Sequence, residues 1–501
     1  MLYYKTVFFG SLCLLGLGTI MGFFGFPIFL KNKIESEFNL KEGSESRKSW
    51  EQLPIPIDFK VYVFNITNPT NVQNGEKVIL EEIGPFVFDE WKDKYDIEDN
   101  EENDTVSFNM RNTFTFNQEK SYPLTGEEVI TMPHPLIQMT AISIKRGNEP
   151  MLPFISKALM DVFNQTSPFI TASFMDIFFR GIPVNCGVKS NEAKAFCSSF
   201  NSGTIKGSSR INDTFFAFGL LAGGNSTDGG RFTVKRGINE SEDLGQVVCF
   251  NGEEKLTVWS EDPPTCNMIS GTDSTIFSTF RTEQEGVTVF SAELCQSLKL
   301  DFEEKRHFNG VKVSKFSSDF GNIKNDRTKH CFCKDAPIDC PLKGTLDLHS
   351  CVKQPMIASS PHFYNGDRRL FENIIGLSPN ETRHKTFMDF EMITGSPLNM
   401  AKRIQFNLDV EPIDTLDVMK NLSRMVMPMF WVEEQLAVPT AITDKIKGSL
   451  YLVIKINNTF KWISVVVGMA GLCVFAFLNY TKKDVEEVVT VSPKQRPRSR
   501  H

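Results

Sequence analysis

Two long apolar runs, one near each end, decide most of what this chain can become. Thr6 to Leu30 is 25 consecutive residues without a charge, and Trp462 to Tyr480 is a second run of 19. A membrane-spanning helix needs ~20 apolar residues, so both are long enough. The first competes with a cleaved signal peptide, whose apolar core would be ~7–15 residues followed by small residues. Here the run closes on Phe-Pro-Ile-Phe-Leu before Lys31 and Lys33. An uncleaved anchor is expected instead, kinked or ended near Pro27. The second run carries Trp462 and Tyr480 at its edges, where interfacial aromatics anchor a span.

Two spans force both termini to the same side. Lys482, Lys483, Lys494, Arg496, Arg498 and Arg500 face only Asp484, Glu486 and Glu487 in the tail, so the tail is expected in the cytoplasm. The expected organisation is residues 1–5 inside, 6–30 spanning, 31–461 outside, 462–480 spanning and 481–501 inside. Such short tails leave no room for a cytoplasmic signalling domain. Asn-X-Ser/Thr sequons at Asn65, Asn103, Asn164, Asn212, Asn225, Asn239, Asn380 and Asn421 all lie in the outer segment, and glycans there would mark surface positions. Asn457 sits too close to the second span to be expected in use, and Asn479 falls within that span's end.

A net charge of −7 argues against a general nucleic-acid binder. The aromatic balance is unusual, with 44 Phe against 8 Tyr and 5 Trp. Phe buries area without a polar handle, which fits a large dry core or a cavity for an apolar ligand, the core being the simpler reading. Nine cysteines fall in the outer segment, six of them between Cys266 and Cys351. His330-Cys331-Phe332-Cys333 with Cys340, His349 and Cys351 would suggest zinc in a cytosolic protein, but outside the cell disulfides are the default. Six cysteines allow 15 pairings. Cys186 and Cys197 can form a local bridge, which leaves Cys249 over.

The outer segment reads mostly as strands: Asp58–Ile66, Val78–Ile83, Pro85–Trp91, Thr105–Phe116, Arg231–Arg236, Gln246–Phe250 and Lys255–Trp259 are β-rich and bounded by turn residues. Helices are expected at Pro150–Gly181, as a pair with Ile155, Leu159 and Phe163 at four-residue spacing, and again over Asp414–Val432. The acidic run Asp96–Asp104 reads as a solvated loop. There is no Gly-X-Ser-X-Gly, no His-Glu-X-X-His and no phosphate-cradling loop. No enzyme activity, cofactor or metal is expected. Gly18 and Gly22 form a small-X-X-X-small pair that can associate helices in membranes, which raises an oligomer or a scaffold for a receptor complex as alternatives.

Glu82-Ile-Gly-Pro-Phe86, Asn267–Phe277, His330-Cys-Phe-Cys333, Pro361-His-Phe363 and Ile393-Thr-Gly395, set between two short-tailed spans, together resemble the class B scavenger receptor family. Asp58–Pro69 and Phe88-Asp-Glu-Trp-Lys92 look most like its insect sensory branch. The resemblance implies a mixed α+β ectodomain, an irregular antiparallel β-barrel with an apical helical bundle and an internal hydrophobic tunnel. It implies disulfides Cys266–Cys331, Cys295–Cys351 and Cys333–Cys340. It also implies a plasma-membrane receptor for lipid-like ligands, passing lipid-derived odorants or pheromones to an odorant receptor or the membrane; a general scavenger receptor is the alternative. Ile155, Leu159 and Phe163 would form the ligand entrance. Some members carry apical lysines that contact acidic head groups. The corresponding stretch here, Val162–Ser167, has none, which favours esters, alcohols or aldehydes over acids.

Overall fold

The computed structural model describes residues 2–203 and 205–490; Lys494, Arg496, Arg498 and Arg500 lie outside the described residues. The chain divides into two compact units, residues 38–438 and the two terminal segments together.

Residues 38–438 are built on one long antiparallel sheet. Its first strand, β1 (Ile57–Ile66), alternates as the sequence suggests, with Ile57, Phe59, Val61 and Val63 turned inward. β1 pairs on one side with β2 (Val78–Asn100) and on the other with strand Met425–Ala437. β2 pairs in turn with β3 (Thr105–Phe116). Beyond β3 the order runs through Asp228–Lys235 to Val247–Phe250; beyond 425–437 it runs through Ser396–Val410, Thr386–Glu391, Val311–Ser318 and Gln296–Phe308 to Val287–Ser291. Gly271 and Thr272 stitch the two edges together. Val247 donates its N–H to Gly271 O at 2.8 Å, and Phe290 donates to Thr272 O at 2.8 Å. A Cβ on Gly271 would fall on the Thr288 carbonyl, and its φ is +82°, so only glycine lets the seam close. The result is a nearly closed, barrel-like sheet, as expected.

Several sequence expectations need correction. Val78–Ile83 and Pro85–Trp91 belong to one strand, because a register shift at Val61/Val63 accommodates Pro85. Lys255–Trp259 is a loop, not a strand: the Trp259 N–H goes to Asn267 Oδ1 at 3.0 Å, and its indole N–H to the Cys295 carbonyl at 2.6 Å. The helix pair over 150–181 is one helix, Leu152–Phe163, ended by Asn164 in the left-handed region. After Pro168, Phe169–Ser173 pairs as a strand with Val129–Pro133, and only a single turn follows at Asp176–Arg180. The Asp414–Val432 segment makes turns and then the strand Met425–Ala437. The helical group contains two further helices, Pro135–Asn148 and Asn191–Asn201. Asp96–Asp104 is solvated over most of its length, as expected, but it is a braced hairpin and not a loop. Asp99 pairs with Arg47 at 2.9 Å and Arg236 at 3.1 Å, while Asp104 accepts from Arg236 and from the N–H groups of Ile238 and Asn239.

In the terminal unit two helices, Lys5–Glu37 and Thr440–Lys483, are long and apolar enough to cross a membrane. Pro27 does not end the first. Phe26 donates its N–H to Met21 O across a wide turn at Met21–Gly25, which admits the proline ring, and the helix runs on to Glu37. Gly18 and Gly22 face this chain's own second helix. A Cβ on Gly18 would fall on Ser464, one on Gly22 on Lys461, and one on Gly471 on Ser11. Asn457 Nδ2 donates to the Gly22 carbonyl at 3.1 Å. The small-residue pair therefore closes an internal interface, and the motive for an oligomer is removed. Cysteines placed at Ser11 and Gly471, with Cys13 and Cys473 changed to serine, are expected to cross-link within one chain on mild oxidation. A dimer-sized product on a non-reducing gel would restore the intermolecular reading.

Candidate functional site

The barrel wall is lined by residues whose alternation points them inward. On β2 the inward positions are Glu90, Lys92 and Lys94, all buried. Three consecutive inward charges are costly unless paired, and each has partners. Lys92 Nζ lies 2.8 Å from Glu90 Oε1 and 3.6 Å from Glu434 Oε2. Lys402 Nζ lies 3.3 Å from Glu434 and 3.8 Å from Glu293. Lys94 reaches Asp273 at 3.5 Å and stands over the Trp50 ring at 4.6 Å. Burial pushes Glu90 up to about 7 against the pull of Lys92. Lys402 holds Glu293 down at about 2.

Four of these charged residues, Lys92, Lys402, Glu293 and Asp273, border a cavity of about 90 Å³, together with Asn112 and with hydrocarbon from Met110, Phe232, Val289, Phe290 and Leu298. Two of the many phenylalanines thus face the cavity. Most of the others pack the core, as in the Phe86–Phe174 stack at 3.7 Å.

A second cluster surrounds Glu82. Its carboxylate accepts from His362 Nε2 at 2.5 Å, Trp431 Nε1 at 2.9 Å and Arg383 at 3.0 Å. Burial opposes ionisation, but these hydrogen bonds win and hold Glu82 at about 2. The His362 and His384 rings stack at 4.4 Å. Among the described residues, Glu82, His362 and His384 are close enough together to suggest a metal site. The donor set does not fit one. His362 Nδ1 accepts the Ser378 N–H and His384 Nδ1 accepts the Asn380 N–H, each at 3.0 Å. With both Nδ1 atoms as acceptors, the neutral rings carry their proton on Nε2, the atom a metal would need bare. Burial, then the neighbouring His362, lowers His384 to about 3, so it stays neutral. The cluster is a structural brace between β2, the Pro361–Phe363 turn and strand 425–437. A surface groove of about 630 Å³ between strands 296–308 and 386–391 is bordered by charges already paired, such as Arg306 with Asp389 and Lys385 with Glu303.

The CD36 family description matches residues 9–479. This chain belongs to the CD36 family. The class B scavenger receptor resemblance is borne out, and with two span-length helices the chain is a two-pass membrane protein of that family. It is 40% identical to sensory neuron membrane protein 1 of Aedes aegypti, covering 91% of this chain and 84% of that protein. The same-named Anopheles gambiae protein is 39% identical, over 96% and 89%, and that of Bombyx mori 36%, over 93% and 89%.

Within this CD36-family chain the structure holds disulfides Cys186–Cys197, Cys266–Cys331, Cys295–Cys351 and Cys333–Cys340, with Cys249 free. Asn103, Asn164, Asn212, Asn239, Asn380 and Asn421 are exposed. Asn65 and Asn225 are half-buried, their amide oxygens accepting the Thr131 and Phe114 N–H groups. Leu159 is fully buried in the core, so it cannot line an open entrance, while Ile155 and Phe163 are half-buried against that core. Lys157 is exposed and paired with Glu192 at 2.8 Å. Sequence reasoning missed the inward charges of β2. The alternation of Glu90, Lys92 and Lys94 carried the period, but charges are ordinarily assigned to the outer face.

Proposed function

We propose that this protein is a plasma-membrane receptor that binds hydrophobic, lipid-derived odorants or pheromones outside the cell and passes them to an odorant receptor or the bilayer. In this reading residues 31–461 are extracellular and glycosylated, both termini are cytoplasmic, and the cell is a sensory neuron or its support cell. The observation that carries it is the barrel cavity, whose lining includes Met110, Phe232, Val289, Phe290 and Leu298. It is supported by the likeness to sensory neuron membrane protein 1 of several insects. A dry conduit is all that capture requires, since each buried methylene contributes about 0.8 kcal/mol; the cavity would be one section of a longer tunnel. Binding rather than catalysis follows, with no cofactor and no nucleic acid.

The test is a displacement titration on the purified full chain in detergent, using a fluorescent long-chain probe. Saturable displacement by unlabelled long-chain compounds, growing tighter with chain length, is expected. Probe uptake that never saturates, or matches that of detergent alone, would overturn the reading.

A further inference from the structure

The cavity's polar lining residues come from paired strands. Lys92 and Asn112 are direct cross-strand partners on β2 and β3, and Lys402 stands opposite Glu434 on strands 396–410 and 425–437. An ammonium offers three N–H donors. The nearest carboxylates take few of them: Lys92 contacts Glu90 at 2.8 Å, while Glu434 is 3.6 Å away, and Lys402 lies 3.3 Å or more from both of its partners. Asn112 Oδ1 is enclosed and accepts no hydrogen bond from the described residues. The same small space therefore offers spare donors and one unpartnered acceptor. A buried acceptor left without a donor is costly, and a ligand that supplies one recovers that cost.

Glu293 adds a sign to this lining. It borders the cavity, keeps 55% of its side-chain surface free and is braced by the Ser291 hydroxyl at 2.8 Å. Both lysines already have carboxylate partners, so an incoming carboxylate would meet Glu293 and Asp273 with no uncommitted cation to offset them. An ester or aldehyde could use the donors but not the acceptor. A hydroxyl can use both.

We propose that this cavity is the head-group site for an uncharged, hydroxyl-bearing lipid, its O–H donated to Asn112 Oδ1 and its oxygen accepting from Lys92, with Glu293 excluding carboxylates. The proposal rests on the lipid-binding reading above and names the ligand class for the same site. The first carbons of the chain lie against Phe232 and Phe290. Met110 and Met388 also line the space, and their flexible thioether side chains can shift to admit a longer chain.

The test uses the glycosylated full chain in detergent, a fluorescent long-chain probe, and three competitors of equal length: 1-dodecanol, its methyl ether and dodecanoate, at pH 7.5. The alcohol is expected to displace the probe at about five-fold lower concentration than the ether, as one recovered buried hydrogen bond implies, and the acid is expected to be the weakest. Asn112→Leu should bring the alcohol-to-ether ratio to about one. Glu293→Gln should raise acid binding relative to alcohol by about ten-fold, the order expected for removing one nearby like charge. An unmodified protein that binds alcohol and ether equally, or acid as well as alcohol, overturns the proposal even if neither variant folds. So does an Asn112→Leu protein that melts normally and keeps its alcohol preference. Equal saturable binding of all three leaves the lipid-binding reading standing without this site; no saturable binding of any removes both.

Discussion

Replacing Glu82 with leucine is expected to lower the melting temperature of the full chain by about 4–6 °C. Leucine fills the volume but accepts nothing, so the His362 and Trp431 N–H groups lose their acceptor inside the fold. Each orphaned buried donor costs about 1–3 kcal/mol. Arg383 is largely exposed and can turn to water, so the total is about 3–5 kcal/mol. Over the roughly 400 residues of the 38–438 unit, unfolding entropy converts 1 kcal/mol into about 1.2 °C. The same carboxylate makes a pH prediction. Its pKa is lowered to about 2 in the fold from an ordinary 4.5, so between those values the native state holds fewer protons than the unfolded chain. Its contribution is complete above about pH 4.5 and fades as pH falls toward 2. The gap between the native protein and Glu82→Gln, followed by melting from pH 7 to pH 3, should therefore narrow at the acid end. A gap that stays constant to pH 3 would mean that the ionised carboxylate is not what the cluster depends on.

What the sequence made legible follows from how local each signal is. β1 and β3 were readable because alternation is a property of neighbouring residues, and Thr105–Phe116 begins and ends where its turn residues place it. The two spans were readable because length and apolarity suffice. Their mutual packing was not, since Gly18 and Ser464 are separated by more than 400 residues of chain. Phe169–Ser173 and Phe174–Phe178 read as helix because apolar residues at three- and four-residue spacing also arise in a strand followed by a tight turn. The helices Pro135–Asn148 and Asn191–Asn201 had start signals that went unused: Pro135 in the first turn after His134, and Ser190, whose hydroxyl accepts the Ala193 N–H. The cavity was least legible of all. Its walls come from β2, β3 and strands around residues 290 and 400, and no window of sequence contains them together.

The same inward charges of β2 set the other large expected effect, at Lys92. Lys92→Met removes the ammonium 2.8 Å from Glu90 and leaves Glu90 and Glu434 facing each other with only Lys402 nearby. Breaking a buried pair from one side costs about 3–5 kcal/mol, or about 4–6 °C by the same conversion. The loss depends on pH in a direction opposite to that of Glu82. Burial already pushes Glu90 up to about 7, with Lys92 pulling it down, and removing Lys92 pushes it further up. A carboxyl raised in the fold stays protonated where the unfolded chain has ionised, so the native state binds more protons and stability falls as pH rises from about 4.5 through 7. The melting deficit of Lys92→Met should therefore be larger at pH 7.5 than at pH 5.5. Adding Glu90→Gln should recover most of it at pH 7.5, because Glu434 and Glu293 then retain Lys402 as their shared partner and no charge is left to bury alone. An equal deficit at both pH values, unrelieved by Glu90→Gln, would mean that Lys92 supports the barrel through its hydrocarbon stem and not through the charge it neutralises.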